Sequence, residues 1–166
     1  MTAYRAPYDS TVRGITIGVT VILLFVFLLM LGLTVAIPLT LVRVLCAALA
    51  GGILVIPLLS YRFAPTGYDL EPHRLIVHRP AGSLRFPLES PVKAWRQDRL
   101  GLTVRTGGNG GLFGAYGSFR NKELGSFKVY ARCARDYVVV QTPSLTVVVG
   151  PEDRDQFVRE ITTQPS

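Results

Sequence analysis

Two apolar helices followed by an all-β domain that one C-terminal helix closes is the architecture this sequence predicts, and three observations predict it. Residues 14–60 form a 47-residue stretch with a single charge, Arg43. From residue 61 onward, fifteen Lys/Arg and ten Asp/Glu alternate with short apolar runs that Gly, Pro and Asn punctuate. The chain then closes on Pro151, Glu152 and Asp153, followed by Phe157, Val158 and Ile161 at helical spacing. The apolar stretch would leave too much hydrocarbon surface in water, whereas the 106 residues after it suffice for a core of their own.

Residues 1–13 are expected to be a cytoplasmic N-terminal tail, with Tyr4 and Tyr8 in an interfacial aromatic belt that Tyr61 completes. Residues 14–60 are read as two transmembrane helices, at about 15–35 and 41–59. Each is near the roughly 20 residues that cross a hydrocarbon core. A turn at 36–40 with Pro38 joins them, which leaves Arg43 within one turn of a helix end. There its side chain reaches the headgroups; at mid-membrane it would cost at least about 3 kcal/mol. Helices are favoured over strands because a lipid-exposed backbone must satisfy its own hydrogen bonds. Ala47, Ala48, Ala50, Gly51 and Gly52 make the second helix small-sided, which suits close packing on the first helix or on a second copy. A cleaved leader has an apolar core of only about 7–15 residues. Here the core is longer and a second one follows. Arg5 and Arg13 before the helices, and Arg62, Arg74 and Arg79 after them, outnumber Arg43 in the turn and put both termini in the cytoplasm.

In residues 61–166, strands are expected at 68–71, 74–79, 83–88, 92–96, 100–105, 125–134, 136–142 and 145–150, the last two as a hairpin rich in β-branched residues. Residues 106–117 hold six glycines in twelve positions, too permissive to form one regular element throughout, and are expected to be a mobile loop or a strand edge. The closing helix is expected over about 151–163, with proline and acids at its N-terminal end.

The runs Arg74, Leu75, Ile76, Val77 and Phe86, Pro87, Leu88; Gly111 through Gly117 (GLFGAYG); Leu124, Gly125, Tyr130 and Ala131; and Pro151, Glu152, Asp153 ahead of Phe157 together resemble the pleckstrin-homology-like (PH-like) bacterial family of small membrane proteins, over residues 64–161. The resemblance implies a PH-like, partly open β-barrel capped by a C-terminal α-helix, generally without catalytic residues. The chain departs from the pattern at Arg132, where a small hydroxyl residue is expected.

Candidate functional residues follow from charge. Residues 73–135 carry a net charge of +9 and residues 136–166 a net charge of −3, so a tethered domain is expected to turn its basic part toward anionic headgroups. The candidates for headgroup or partner contact are Lys93, Arg96, Arg99, Arg105, Arg120, Lys122 and Lys128. Leu112, Phe113 and Tyr116 are candidate loop contacts, either tucked into the core or dipping among headgroups. GGNGGLFGAYG lacks the lysine and hydroxyl of a phosphate-binding loop. Trp95 either anchors at the interface or caps the core. No nucleic-acid reader motif accompanies the charge.

Cys46 and Cys133 are the two cysteines, too few for a disulfide framework. His73 and His78 fall on opposite faces of an extended strand. No catalytic, metal or cofactor site is expected, and an enzyme is the less favoured reading. The expected function is a membrane-tethered, non-catalytic binding or adaptor module at the cytoplasmic surface of a bacterial cell membrane. Its expected partners are the bilayer, a membrane protein or a second copy, and anionic lipid, with nucleic acid not among them. The alternative is a membrane enzyme or enzyme subunit whose groups meet only in three dimensions.

Overall fold

The computed structural model describes residues 2–36 and 38–163, which form three helices and ten strands. Helices α1 (Ser10–Ala36) and α2 (Thr40–Phe63) are long and apolar enough to cross a membrane. Ile37, in the expected turn, lies outside the described residues. Both helices run past the expected limits at the ends nearest the β-domain. There, contacts with the β-domain hold the extra turns, as the anchors below show.

The two helices meet along Leu23, Val26, Phe27, Met30, Leu33 and Thr34 of α1 and Val42, Cys46, Ala50, Ile53, Pro57 and Ser60 of α2, whose side chains are at least partly covered. The spacing of three and four places each set on one face. Of the small residues expected at this seam, Ala50 is in it. Gly51 and Gly52 face away, with nothing near the position of a Cβ on either. Turn-by-turn phase, rather than side-chain size, decides which residues meet.

After the helices come β2 (Gly67–Glu71), β3 (Arg74–His78) and β4 (Leu84–Pro87), then β5 (Lys93–Gln97), β6 (Val104–Gly111), β7 (Gly114–Asn121), β8 (Gly125–Ala131), β9 (Tyr137–Gln141), β10 (Thr146–Val149) and helix α3 (Arg154–Thr162). The N-terminal residues do not form a free tail. Thr2–Arg5 is strand β1, antiparallel to β2, with Tyr4 opposite Tyr68. One sheet runs β1-β2-β3-β4, and the second runs β5-β9-β10-β8-β7-β6, parallel only between β10 and β8.

The two sheets do not close into a barrel. Pro87 ends β4 and Pro91 lies just before β5, and neither has the N–H needed to continue a ladder between them. The main core lies between the sheets: Tyr68, Leu75, Val77 and Phe86 face Tyr130, Val138, Val147 and Val149, and Phe157 and Ile161 of α3 close one end. The Tyr68 hydroxyl donates to the Tyr130 carbonyl at 2.7 Å and accepts from the Gly150 N–H at 3.3 Å, joining the two sheets. Burial pushes this phenol well above its ordinary pKa. A second cluster, with Phe119, Phe127, Val129, Val139 and Val148, covers the outer face of the six-stranded sheet. Trp95 packs half-buried against it.

Of the two expectations for the glycine-rich segment, strand edge is the one the fold shows: β6 is the edge strand of its sheet and forms a hairpin with β7. Gly108 and Gly117 sit opposite each other with φ of +104° and +120°. Their backbones approach so closely that a Cβ on either would strike the other strand. Glycine here permits pairing instead of preventing it. The strand expected at 100–105 accordingly starts later, at Val104, and a register shift near Thr106 separates its two halves.

Candidate functional site

The seven candidate cations do not form one surface. Lys93 and Arg96 lie on β5, at one edge of the six-stranded sheet, and Arg105 lies on β6 at the other. Five strand spacings of about 4.8 Å put those edges roughly 24 Å apart along the sheet. Arg96 is already engaged. Its Nη1 donates to both Asp155 carboxylate oxygens at 3.0 Å, and its Nη2 donates to Asp136 Oδ1 at 2.9 Å. Asp155 first, and Asp136 with it, hold the guanidinium's pKa above its ordinary value. Arg96 thus braces β5 against α3 and the start of β9.

Across the sheet, Arg120 and Lys128 share one face of β7 and β8, Arg105 lies opposite Phe119 on the other face, and Lys122 occupies the intervening turn. The Lys128 ammonium sits 5.5 Å from the centre of the Phe86 ring. Arg99 lies on the 98–103 connection, within 3.8 Å of the Asp98 carboxylate and largely exposed.

The candidate loop contacts are turned inward. Leu112 and Tyr116 are buried and Phe113 is half-buried. The Asn109 side-chain amide donates to the Leu112 carbonyl at 3.0 Å and to the Tyr116 hydroxyl at 3.2 Å, which locks the hairpin tip. That tip grips the helices: the Phe113 N–H donates to Thr16 Oγ1 of α1 at 3.1 Å, and the Phe113 ring meets Tyr61 of α2 edge-on at 5.5 Å.

A second anchor is Asp9, which charge counting alone does not single out. Its carboxylate accepts from the Ala134 N–H at 3.2 Å and the Thr11 N–H at 3.4 Å, and its own N–H donates to the Arg132 carbonyl at 3.3 Å. It therefore joins the start of α1 to the segment between β8 and β9. The Ala134 hydrogen bond holds the carboxyl below its usual pKa. Stabilisation from a lowered carboxyl pKa is present above the unfolded value of about 3.9 and is lost as pH falls through the folded one. Asp9→Asn is expected to cost about 0.5–1 kcal/mol at pH 7, the worth of a charge beside a helix N-terminus. The cost is expected to shrink as pH falls below the unfolded carboxyl value of about 3.9; chemical denaturation of the full chain in detergent at pH 7 and at successively lower pH checks this.

Around these anchors is a basic collar. Arg13 lies in the first turns of α1 and Arg62 in the last turn of α2. The Arg79 guanidinium lies 5.7 Å from the Phe63 ring centre, and that of Arg132 lies 5.2 Å from the Tyr8 ring centre. Of the expected aromatic belt, Tyr8 and Tyr61 stay partly exposed near the helix ends, whereas Tyr4 is buried in the core. Arg79 and Arg132 reach the collar only through folding; in sequence they are 53 positions apart.

For catalysis, one constellation stands out. His78 lies 2.9 Å from Ser83 Oγ through Nδ1 and 2.7 Å from Asp69 Oδ2 through Nε2. A hydrolytic triad presents the serine to Nε2 and the carboxylate to Nδ1, the reverse of this order. His78 is 41% exposed and Ser83 lies on the surface, so the chain ties β2, β3 and the turn after β3 together. Among the described residues, no three His, Cys, Asp or Glu side chains gather closely enough to hold a metal ion.

Comparison with known proteins adds one finding. A family model described as "Bacterial PH domain" matches residues 66–164. No curated protein and no solved structure matches the chain.

Proposed function

Because this chain belongs to the bacterial PH domain family, we propose that it is a membrane-tethered, non-catalytic binding module whose β-domain is held in a set posture at the cytoplasmic membrane surface. The observation that carries this reading is the grip of the Phe113 hairpin tip on both apolar helices. A module on a flexible linker samples all orientations, whereas here the same element that completes the sheet also touches α1 and α2.

In this reading α1 and α2 cross the bilayer, and the collar of Arg13, Arg62, Arg79 and Arg132 meets anionic headgroups, each charge contributing about 1 kcal/mol near the surface. Arg105, Arg120 and Lys122 belong to the other end of the β6–β7 hairpin. Arg120 is six residues along β7 from Gly114, about 20 Å at the rise of a strand. That end is left to a protein partner, and tethering raises the local concentration of any partner in the same membrane.

The full-length protein is expected to stay in the membrane pellet through an alkaline carbonate wash and to need detergent for release. Release by carbonate alone overturns the tether. Posture is checked by trypsin cleavage after Arg132 in reconstituted vesicles. Cleavage is expected to be slower with anionic than with neutral lipid, and equal rates remove the collar's contact with headgroups.

A further inference from the structure

The connection from β5 to β6, residues 98–103, has to pass over the outer face of the six-stranded sheet, because those strands are its two opposite edges. Leu100 packs onto that face, and the Asn121 side-chain amide holds the Leu100 carbonyl at 2.8 Å. Between this connection and the first turns of α1 is an open cavity of about 560 Å³. Its walls include Val12 and Ile15 of α1, Leu100 of the connection, Ala115 and Phe119 of β7, Val129 of β8, and the chain between β8 and β9 through the first residue of β9. Glycines of the hairpin supply bare backbone along another part of the wall. Arg99 is the one charged residue that lines it, and its 66% exposed side chain puts the charge at the rim.

We infer that this cavity takes one acyl chain of an anionic membrane lipid, with Arg99 meeting the lipid's negative group at the mouth. Size allows it, since small-molecule sites span roughly 300–1,000 Å³ and are mostly apolar with few polar groups. Continuity points to the bilayer as the source: Val12 and Ile15 stand where the apolar run of α1 begins, so on the tethered reading, on which this inference rests, the mouth opens at headgroup level. Charge points to an anion, because Arg99, 66% exposed beside the Asp98 carboxylate at 3.8 Å, is the charged residue at the rim, and among the described residues no carboxylate lines the largely apolar walls. An acyl chain seated here lies against α1, the connection and the hairpin at once, and so ties occupancy of the membrane to the posture of the domain.

The test uses the full-length chain in vesicles doped with a lipid carrying a photoreactive group near the end of its acyl chain, in three forms: phosphatidylglycerol, phosphatidylcholine and the free fatty acid. Adducts are mapped by mass spectrometry. With phosphatidylglycerol, adducts are expected on the β7 and β8 cavity wall. Ala115→Trp and, from the helix side, Val12→Trp are each expected to reduce them about tenfold, the effect of losing roughly one well-packed contact set. Arg99→Gln is expected to erase a preference of about fivefold for phosphatidylglycerol over phosphatidylcholine. Labelling by the free fatty acid in preference to both phospholipids rejects the bilayer as the source. Adducts confined to the middle of α1 and α2, or wall adducts that survive both tryptophan variants with the fold intact by circular dichroism, overturn the site. Carbonate extraction of the same samples separates the two readings, since a chain that stays in the membrane without wall adducts loses only the cavity, whereas a released chain loses the tether.

Discussion

Replacing Gly117 with valine is expected to destabilise the β-domain by about 4 kcal/mol, combining roughly 1–3 kcal/mol of backbone strain with roughly 1–3 kcal/mol of steric overlap. The strain arises because Gly117 has φ of +120°, a conformation that β-branched residues avoid. The overlap arises because a Cβ there would meet the carbonyl of Gly107 and the α-carbon of Gly108 on the facing strand. Both costs fall on the hairpin whose tip holds the helices, so the damage spreads beyond the substituted residue. Urea denaturation in detergent should show the loss of stability, and proteolysis in the 111–114 turn should accelerate. The control is Gly107→Ala, where the φ is not positive and open space surrounds the site. It is expected to change stability by less than about 1 kcal/mol. Equal effects at the two positions would refute the close approach of β6 and β7.

The second large effect is expected at Phe157. Its side chain is fully buried, packs within the main core and meets Tyr4 edge-on with ring centres 5.1 Å apart. Helix α3 is nine residues long, too short to persist without tertiary packing. An N-cap hydrogen bond from the Gln156 N–H to Asp153 at 2.9 Å starts it, but Phe157 and Ile161 are its buried residues. Phe157→Ala is therefore expected to cost about 3–5 kcal/mol, a large part of the roughly 5–15 kcal/mol that holds a domain folded. Tyr4→Ala in that background should cost less than it does alone, by about 0.5–1.5 kcal/mol, since the aromatic pair is already gone. Full additivity would mean that β1 and α3 do not share a core, and would return the first residues to the status of a free tail.

These two sites show where reading the sequence stops. Phe157 is legible from its spacing with Ile161, because a short helix must bury one face and periodicity marks that face. Gly117 is visible as a glycine but not as a strand residue, because local composition cannot tell a loop from a hairpin whose backbones come too close for side chains. Strand β1 was hidden for a related reason. Thr2–Arg5 has no pattern of its own and becomes a strand because β2 offers it an edge.

For the candidate site, charge counting found basic residues without finding their arrangement. Arg96 looks like a free cation until Asp136 and Asp155 are brought to it from 40 and 59 positions away. The collar is the converse case, since Arg79 and Arg132 belong together only after β3 and the end of β8 have been placed beside the helix ends.

Hydropathy and short-range periodicity alone decided that two long apolar helices precede a β-domain closed by a short helix, and the family resemblance was carried by local runs. These are properties of neighbouring residues, and solvent reads them through burial and the local hydrogen-bond pattern. Folding in three dimensions decided that two sheets form instead of a barrel, that the hairpin tip holds both helices, which arginines are braced and which lie at the collar, and where the outer cavity opens. Each of these is a contact between distant parts of the chain, fixed by ladder pairing, by how closely two backbones can approach and by ion-pair geometry, none of which local sequence encodes by itself.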